Sequence, residues 1–242
     1  MKAAVYSEYG SPDVLQLKEV AKPTPKDNEV LIRVYATSVN FGDTLARNFI
    51  EVSPRDFTMP LPLWLPSRLM FGLTKPRVQV LGSEFAGKVE AVGKAVTRFG
   101  PGDAVFGYRG PSMGANAEYL CMAETGLVAA KPANLTYEEA ATIPYGALTA
   151  LSLLRKVDIQ RGQKVLIIGA SGAIGSAAVQ LARHYGADVT GVCGTPRLEY
   201  VKALGASRVI DYTREDFAAS GETYDVIVDV LGKSSFAHVR PV

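Results

Sequence analysis

A glycine-spaced turn after an apolar run constrains the fold of this chain more than any other feature. The run 164–168, Lys-Val-Leu-Ile-Ile, has the composition of a buried strand. Glycines follow at the first, fourth and seventh positions, where the common dinucleotide-binding pattern uses the first, third and sixth. Because such a turn directs backbone N–H groups at an anion and opens a helix, it predicts a dinucleotide-binding βα unit. The residues predicted to hold the dinucleotide here are Gly169, Ala170, Ser171, Gly172, Ala173, Ile174 and Gly175.

The sequence after this turn alternates between strands and helices. The predicted strands are 164–168, 188–193, 208–211 and 226–229, and the predicted helices between them are 173–185 and 198–204. This alternation predicts an α/β fold with a Rossmann-type parallel sheet covered on both faces. A doubly wound dinucleotide domain has about six strands, so an incomplete C-terminus is expected, with the strands present ordered 3-2-1-4.

The earlier part of the sequence is instead rich in short β-compatible runs, separated by turns of Gly, Pro, Asn and Asp. The predicted strands there are 3–6, 15–19, 29–36, 84–92, 104–108 and 117–122. Farther on, Thr136 with Glu139 three residues later forms a capping box, which predicts the start of a helix. We therefore expect a β-rich domain over 1–125 and the Rossmann domain over 126–242.

Composition excludes several kinds of partner and site. Lys and Arg number 26 against 24 Asp and Glu, so the charge balance indicates neither nucleic acid nor a membrane as a partner. The most apolar stretch, 57–73, contains prolines and is shorter than the roughly 20 residues that cross a bilayer. The two cysteines, Cys121 and Cys193, cannot form a structural zinc site, which needs about four ligands. Without a secretory signal at the N-terminus, a cytoplasmic location is expected.

The end of the second Rossmann strand indicates which dinucleotide is bound. NAD sites place a carboxylate there to hold the ribose hydroxyls, but this sequence has no acid before Glu199. Thr195 and Arg197 instead offer a hydroxyl and a cation to a 2′-phosphate, which favours NADP(H). The alternative is that Arg197 is an ordinary solvated residue at the start of a helix.

Segments spread over nearly the whole chain resemble the zinc-free, quinone-oxidoreductase-like branch of the medium-chain dehydrogenase/reductase superfamily. Besides the glycine turn, the matching segments are Ala-Thr-Ser-Val-Asn-Phe-Gly-Asp at 36–43, Gly-Ser-Glu-Phe-Ala-Gly-Lys-Val-Glu-Ala-Val-Gly at 82–93, Phe-Gly-Pro-Gly-Asp-Ala-Val-Phe-Gly at 99–107, Ala-Glu-Tyr at 117–119 and Leu-Thr-Ala at 148–150. The resemblance implies a GroES-like β-rich substrate domain preceding the Rossmann domain, with NADP(H) as the cofactor. It also implies that the chain is truncated at its C-terminus relative to the family, and that its full-length parent is a homodimer.

The resemblance also suggests roles for individual residues. It places Asn40 and Thr149 near the nicotinamide, Arg197 and Tyr212 near the 2′-phosphate, and 172–174 under the pyrophosphate. Structural alternatives remain open for three of them. Asn40 can be a turn-forming residue, Thr149 a helix-packing hydroxyl, and Tyr212 a half-buried aromatic that closes the third strand.

Zinc chemistry is not expected. Zinc-dependent relatives have a Cys where this chain has Asn40 and a His where it has Ser83, so both catalytic ligand types are missing. Asp43 and Glu84 remain at family positions, but carboxylates alone form a poor zinc site. We expect these two side chains to hold loops through hydrogen bonds rather than to take part in chemistry.

The predicted activity is NADPH-dependent transfer of a hydride to a quinone or an activated alkene or carbonyl compound, which acts as a small-molecule electron acceptor. Asn40 is the candidate catalytic residue, positioning the substrate and the nicotinamide, and no side chain stands out as a general acid. The segment 49–80 is either a wall of the substrate pocket or a surface loop packed on its own Trp64 and Phe71. The alternative functions are a non-catalytic NADPH-binding or structural protein of the same fold, or an inactive fragment.

Overall fold

The computed structural model describes residues 1–53, 61–232 and 234 of the chain. Contacts between residues divide it into two compact units, Met1–Pro144 and Tyr145–Val242. Each unit has its own sheet and its own buried core. The predicted α/β fold, a β-rich domain followed by a Rossmann-type parallel sheet, is confirmed.

The first unit is built on an antiparallel sheet. Its strands are β1 (Lys2–Val5), β2 (Gln16–Glu19), β3 (Glu29–Ala36), β4 (Glu84–Val92), β5 (Ala104–Tyr108), β6 (Tyr119–Ala123) and β7 (Val128–Ala130). Strands β1 and β2 pair with each other, and the other five form a sheet in the order β6-β3-β4-β5-β7. Alternate residues of β3, Val30 and Ile32, pack against Phe85, Val89 and Val105 in the core of this unit.

Arg109 follows β5 and bonds to an edge strand of the five-stranded sheet. Its guanidinium donates hydrogen bonds to the backbone carbonyls of Met113 and of Cys121, which lies on edge strand β6. Burial lowers the pKa of this guanidinium, although an arginine remains charged at neutral pH. The side chain therefore satisfies a carbonyl on an edge strand that could otherwise pair with another chain.

Within its described residues, the first unit contains three α-helices. They are α1 (Phe41–Arg47), α2 (Trp64–Phe71) and α3 (Tyr137–Ala141). The expected capping box begins α3, because the Thr136 hydroxyl accepts the Glu139 N–H while the Glu139 carboxylate accepts the Thr136 N–H. Helix α3 then packs Ala140 and Ala141 against Ala86 of β4.

The division between the units lies later than the expected boundary after residue 125. Strand β7 pairs with β5, and α3 packs on β4, so both elements belong to the first unit. A three-residue strand and a five-residue helix carry little sequence signal of their own. Their place in the fold is set by what they pair with and pack against.

The second unit is a parallel sheet covered on both faces, as predicted: its described α-helices pack on one face, and the 3₁₀ turn Phe217–Ala219 packs on the other. Its elements are α4 (Pro144–Lys156), β8 (Lys164–Ile168), α5 (Ala173–His184), β9 (Asp188–Cys193), α6 (Leu198–Ala203), β10 (Arg208–Asp211) and β11 (Val226–Asp229). The strands are all parallel and run in the order β10-β9-β8-β11, which confirms the predicted order 3-2-1-4. The crossover helices α5 and α6 connect neighbouring strands, as parallel pairing requires.

The two faces of the parallel sheet bury alternate residues of the same strands. Val165 and Ile167 of β8 pack with Ala178 and Val179 of α5 in one cluster. Leu166 and Ile168 face the opposite way, into a second cluster that includes Val192, Ile210 and Phe217. Because β8 is buried on both sides, its sequence is a continuous apolar run rather than an alternating one.

The segment 49–80 was expected to be either a pocket wall or a loop packed on itself, and residues 54–60 of it lie outside the described residues. In its described part, the Trp64 indole donates to the Val52 carbonyl at 3.1 Å, and the rings of Phe49 and Phe71 lie 5.0 Å apart. The segment therefore packs on its own aromatic residues, as one alternative expected. Among the described residues, every helix falls short of the length and apolar character that crossing a bilayer requires.

Glu124 should make the stability of the chain depend on pH. Its buried carboxylate accepts the backbone N–H groups of Thr97 at 2.9 Å and of Arg98 at 2.7 Å, and these bonds lower its pKa. The stabilisation that the Glu124 carboxylate gives to the folded state should be fully present above its unfolded-state pKa of about 4.3. It should be lost as the pH falls through the lower folded-state pKa.

We expect Glu124→Gln to be less stable than the wild type at neutral pH and to lose less stability on acidification. Denaturant unfolding midpoints at a series of pH values measure this, with Glu138→Gln as the exposed control. Parallel pH curves for wild type and Glu124→Gln would contradict the assignment.

Candidate functional site

The glycine turn connects β8 to α5 through a backbone conformation that suits glycine. Gly169 has a φ of +81°, in the left-handed region that other residues rarely adopt. The N–H groups of Gly169 and Ala170 both donate to the Val192 carbonyl of β9, at 3.1 and 3.0 Å. The Gly172 N–H then donates to the Gly169 carbonyl at 3.1 Å, which closes the turn.

Gly175 allows the first turn of α5 to lie directly against this loop. A Cβ added at Gly175 would lie 2.1 Å from the Gly169 carbonyl oxygen and 2.8 Å from the Ala170 Cα, both backbone atoms that cannot move aside easily. By contrast, a Cβ added at Gly172 would meet only the Gly169 carbonyl oxygen, at 3.6 Å. The turn is thus closely packed beneath Gly175 and open above Gly172.

The open side of the turn coincides with the amino end of α5. Gly172 is the N-cap, no side chain caps the helix, and its first turn contains no acidic residue. The N–H groups of Ala173, Ile174 and Gly175 precede the first intrahelical bond, which Ser176 donates to the Gly172 carbonyl at 2.8 Å. Unused donors, the positive end of the helix dipole and open space fit the pyrophosphate of a dinucleotide.

Gly146 of α4 contributes to the packing around the glycine turn, and the sequence analysis did not identify it. A Cβ added there would lie 2.5 Å from the Ala173 carbonyl oxygen, so α4 closely approaches the amino end of α5. Thr149 lies one helical turn farther along α4 and shares the face of Gly146. The half-buried Thr149 side chain is therefore placed on the side of α4 that meets the glycine turn.

Asp211 is a second residue that the sequence analysis missed, and it is the hydrogen-bond partner of the Thr195 hydroxyl. In the parallel register, Asp211 at the end of β10 lies opposite Cys193 at the end of β9. The Thr195 hydroxyl donates to Asp211 Oδ2 at 2.5 Å, and Thr213 donates its hydroxyl to Oδ1 at 2.7 Å and its N–H to the same oxygen at 3.0 Å. The hydrogen bond from the Thr195 hydroxyl lowers the pKa of the Asp211 carboxyl most, and those from Thr213 lower it further.

The number of hydrogens on the Thr195 hydroxyl limits the bonds that it can donate. A hydroxyl has one hydrogen, and that of Thr195 is donated to the buried Asp211 carboxylate. In this arrangement the Thr195 oxygen is left to accept a hydrogen bond. In this structure the Thr195 hydroxyl bonds to Asp211, and its expected role beside a 2′-phosphate stays a prediction.

Tyr212 and Arg197 lie close to this cluster in the chain and are accessible. The Tyr212 side chain is 64% exposed, so it is not the half-buried aromatic that one alternative expected. Its hydroxyl would lie 3.5 Å from a Cβ added at Gly194, which places the ring over the backbone that follows β9. Arg197 is exposed at the end of the 3₁₀ turn Thr195–Arg197 and precedes α6.

Asn40, in the first unit, uses all of its polar groups within the protein. As the N-cap of α1, it accepts the Asp43 N–H at 3.2 Å through Oδ1, and its own N–H donates to Asp43 Oδ2 at 3.0 Å. Its side-chain Nδ2 donates to Ser83 Oγ at 2.7 Å and to Glu84 Oε2 at 3.2 Å, and the Ser38 hydroxyl donates to the same Glu84 oxygen. The turn-forming alternative for Asn40 therefore describes its geometry, and a direct role in positioning a substrate stays a prediction.

The two nearby carboxylates hold loops, as expected. Asp43 is 2% exposed and accepts the Gly82 N–H at 3.0 Å, while Glu84 accepts from Ser38 and Asn40. Burial raises the pKa of Asp43 and outweighs the lowering by its backbone hydrogen bonds. The pair Asn40 and Ser83 is joined by a neutral amide–hydroxyl hydrogen bond, and these groups are poor ligands for zinc.

Comparison with protein families agrees with both units. Residues 26–145 match the model of the alcohol dehydrogenase GroES-like domain, and residues 173–239 match the model described as zinc-binding dehydrogenase. The second match covers the helix of the glycine turn and the strands after it. It does not include Asn40 or Ser83.

Comparison with individual proteins shows similarity along nearly all of this chain. The chain is 36% identical to 2-methylene-furan-3-one reductase of Solanum lycopersicum and 35% identical to NADPH-dependent alkenal/one oxidoreductase, chloroplastic, of Arabidopsis thaliana. These alignments cover 98% and 96% of the chain but only 58% of each relative, so the chain spans about three-fifths of their length. The solved structure of the quinone oxidoreductase from Coxiella burnetii superposes with a TM-score of 0.80 at 32% identity, over 96% of this chain and 68% of that one.

The matched domains, the glycine turn, the strand order and the level of identity agree with one another. The chain belongs to the zinc-free, quinone-oxidoreductase-like branch of the medium-chain dehydrogenase/reductase superfamily.

Proposed function

We propose that this chain carries the substrate-binding and cofactor-binding units of an NADPH-dependent oxidoreductase, which reduces a quinone or an activated alkene or carbonyl compound without zinc. The observation that carries the proposal is the amino end of α5, which combines an uncapped helix, no acidic residue in its first turn and open space above Gly172. The names of similar proteins support it, since one is an NADPH-dependent alkenal/one oxidoreductase and another a quinone oxidoreductase.

The preference for NADP(H) over NAD(H) is supported by the hydrogen bonds that Asp211 already accepts from other protein groups. An NAD site needs a carboxylate with free oxygen lone pairs for the ribose hydroxyls. Asp211 is near the end of β9 but is buried and accepts hydrogen bonds from Thr195 and Thr213. The exposed side chains of Arg197 and Tyr212 are instead suited to a 2′-phosphate.

The chemistry assigned to the protein's own residues is positioning. When bound, the dinucleotide supplies the hydride. Residues 172–175 hold its pyrophosphate, and the close packing at Gly146 fixes α4, which carries Thr149, against the same turn. The network of Asn40, Ser83 and Glu84 holds the start of α1 and the start of β4 together. Since an electron-poor acceptor needs mainly orientation, water or the substrate's own oxygen can take up the proton.

A non-catalytic role in NADPH binding is the second candidate. It is favoured by the network around Asn40, in which both sides of the amide are engaged by other protein groups. The two functions differ in one measurement, the oxidation of NADPH in the presence of quinones, enones and aldehydes. Turnover with any acceptor supports the enzyme, whereas binding without turnover of any acceptor supports the second candidate.

Alanine substitutions at Gly175 and Gly172 should distinguish an effect on stability from an effect on cofactor affinity. Gly175→Ala should lower the melting temperature, because overpacking against backbone costs typically about 1–3 kcal/mol. Gly172→Ala should leave the melting temperature nearly unchanged, since its Cβ has room and the φ at this position is −78°. Dinucleotide affinity should nevertheless fall in Gly172→Ala, because the new methyl group occupies the space above the turn. Thermal unfolding and calorimetric titration test both effects, and unchanged affinity in Gly172→Ala would place the pyrophosphate elsewhere.

Arg197 should discriminate between the two dinucleotides. We expect NADPH to bind more tightly than NADH, and Arg197→Ala to narrow the difference by roughly 1.5–3 kcal/mol through loss of a charge-assisted hydrogen bond. Arg155→Ala, which changes an exposed arginine of α4, is the matched control and should leave the difference unchanged. Equal affinities of the wild type for NADPH and NADH in calorimetric titration would refute the proposed preference.

Zinc should be neither bound nor needed. Because Asn40 and Ser83 stand where the zinc-dependent relatives have thiolate and imidazole ligands, the purified protein should contain far less than one zinc per chain. Chelators should leave NADPH oxidation unchanged. Elemental analysis that returns stoichiometric zinc, or loss of activity on chelation, would show the expectation to be wrong.

A further inference from the structure

The first unit has a cavity of about 480 Å³ beside the loop that follows β5. Its walls come from residues 108–112 on one side and from β6 with the turn at 126–127 on the other. Its described lining includes neither the glycine turn nor Asn40, Ser83 and Glu84. The volume is within the range of small-molecule sites, which is about 300–1,000 Å³. We name it the Arg109 cavity, after the cation in its wall.

The Arg109 guanidinium keeps unused hydrogen-bond donors at this cavity. An arginine side chain has five N–H groups. Nε donates to the Met113 carbonyl and Nη1 donates to the Cys121 carbonyl. Both N–H groups of Nη2 and one of Nη1 have no acceptor among the residues that the structure describes. Because the two carbonyl bonds fix the guanidinium, the remaining donors are held in one orientation.

Protein groups balance the charge of Arg109 only in part. The ion pairs within the described part of the chain involve other cations, so no carboxylate there lies within 4.0 Å of this guanidinium. Burial lowers the pKa of Arg109, and the influence of Cys121 and of Glu29, which also line the cavity, offsets this lowering only partly. A partly buried cation with unused donors is unfavourable, and an anion in the cavity would satisfy both its charge and its donors.

The rest of the lining indicates what kind of anion fits. Tyr108, Met122 and Leu127 add apolar surface to the wall. Glu29 adds a negative charge, which disfavours the double charge of a phosphate more than the single charge of a carboxylate. Burial raises the pKa of the Cys121 thiol, so this cysteine is not activated for covalent attachment. The chemistry of the wall therefore fits a singly charged carboxylate with an apolar body.

We propose that the Arg109 cavity is a binding site for a small organic monocarboxylate. The carboxylate accepts hydrogen bonds from the free N–H groups of Arg109, and the apolar body lies against Met122 and Leu127. The site lies wholly within the first unit. It does not depend on the cofactor or on the proposed catalytic activity.

NMR titration of benzoate with the 242-residue chain, observed on the ligand, tests the proposal. Benzamide is the neutral probe of nearly the same shape, and inorganic phosphate is an anion without an apolar body. Benzoate should bind about tenfold more tightly than either probe, because a charge-assisted hydrogen bond is stronger than a neutral one. These measurements need no NADPH, so their outcome is separate from that of the proposed function.

Two variants with matched controls locate the bound benzoate. Leu127→Asp places a second negative charge at the cavity and should weaken benzoate binding about fivefold. Its control is Leu17→Asp, since Leu127 is 56% exposed and Leu17 is 71% exposed elsewhere in the first unit. Glu29→Gln removes the like charge and should strengthen benzoate binding about fivefold. Its control is Glu8→Gln, at an exposed position outside the cavity, and both controls should bind like the wild type.

Arg109→Gln tests the cation itself and should bind benzoate no more tightly than benzamide. Thermal unfolding verifies that each variant is folded. If Arg109→Gln does not fold, because its bonds to the carbonyls of Met113 and Cys121 are lost, Leu127→Asp and Glu29→Gln decide the question. Absence of saturable benzoate binding, or equal affinities of the wild type for benzoate and benzamide, would overturn the proposal. Wild-type affinity for benzoate in both Leu127→Asp and Glu29→Gln would place the ligand elsewhere and overturn it as well.

Discussion

The close approach of α5 to the loop that precedes it is the constraint on which the second unit depends. A carbonyl oxygen of the loop lies where the side chain of Gly175 would begin, so the helix starts within backbone contact of the strand end. This contact aims the first N–H groups of α5 into the open space above Gly172. The parallel strands β9 and β10 then end at the same edge, which brings the segments after them to the same side of the sheet.

In the first unit, an amide and a hydroxyl lie where the family resemblance led us to expect the thiolate and imidazole of zinc-dependent relatives. Asn40 and Ser83 lie in hydrogen-bond contact, so the two positions remain neighbours although neither side chain suits a metal. The Asn40 amide joins them while capping α1, and Asp43 joins the same helix to the backbone at Gly82. The start of α1 is thus held to the residues before β4 by neutral groups and a buried carboxylate. A change of chemistry in this part of the fold does not require a change of scaffold.

Much of the fold could be predicted from the sequence because long apolar runs with clear ends are informative by themselves. Strands β8 to β11 have the expected bounds, since buried parallel strands are continuous apolar runs and the glycine turn fixes where one of them stops. Helix α1 was not anticipated, because its seven residues have no helical apolar period and its start depends on the Asn40 cap. Strand β7 exists through its pairing with β5, and so its three residues look like a loop in the sequence. The proximity of Asp211 to Thr195 likewise depends on the register of β9 and β10, a long-range property that no local pattern encodes.

The hydrogen bond between Thr195 and Asp211 has a consequence for how such a protein could evolve. Asp211 ends β10, beside the end of β9 where an NAD site places its carboxylate, and it is held by two threonine hydroxyls and by Arg214, whose guanidinium lies 3.6 Å away. Removing Arg197 alone would take away a cation without giving the ribose an acceptor. Freeing Asp211 by changing Thr195 alone would leave a buried charge short of a partner beside an unaltered cation. If Arg197 holds the 2′-phosphate as proposed, an exchange of one dinucleotide for the other would therefore need changes at both positions, Thr195 and Arg197.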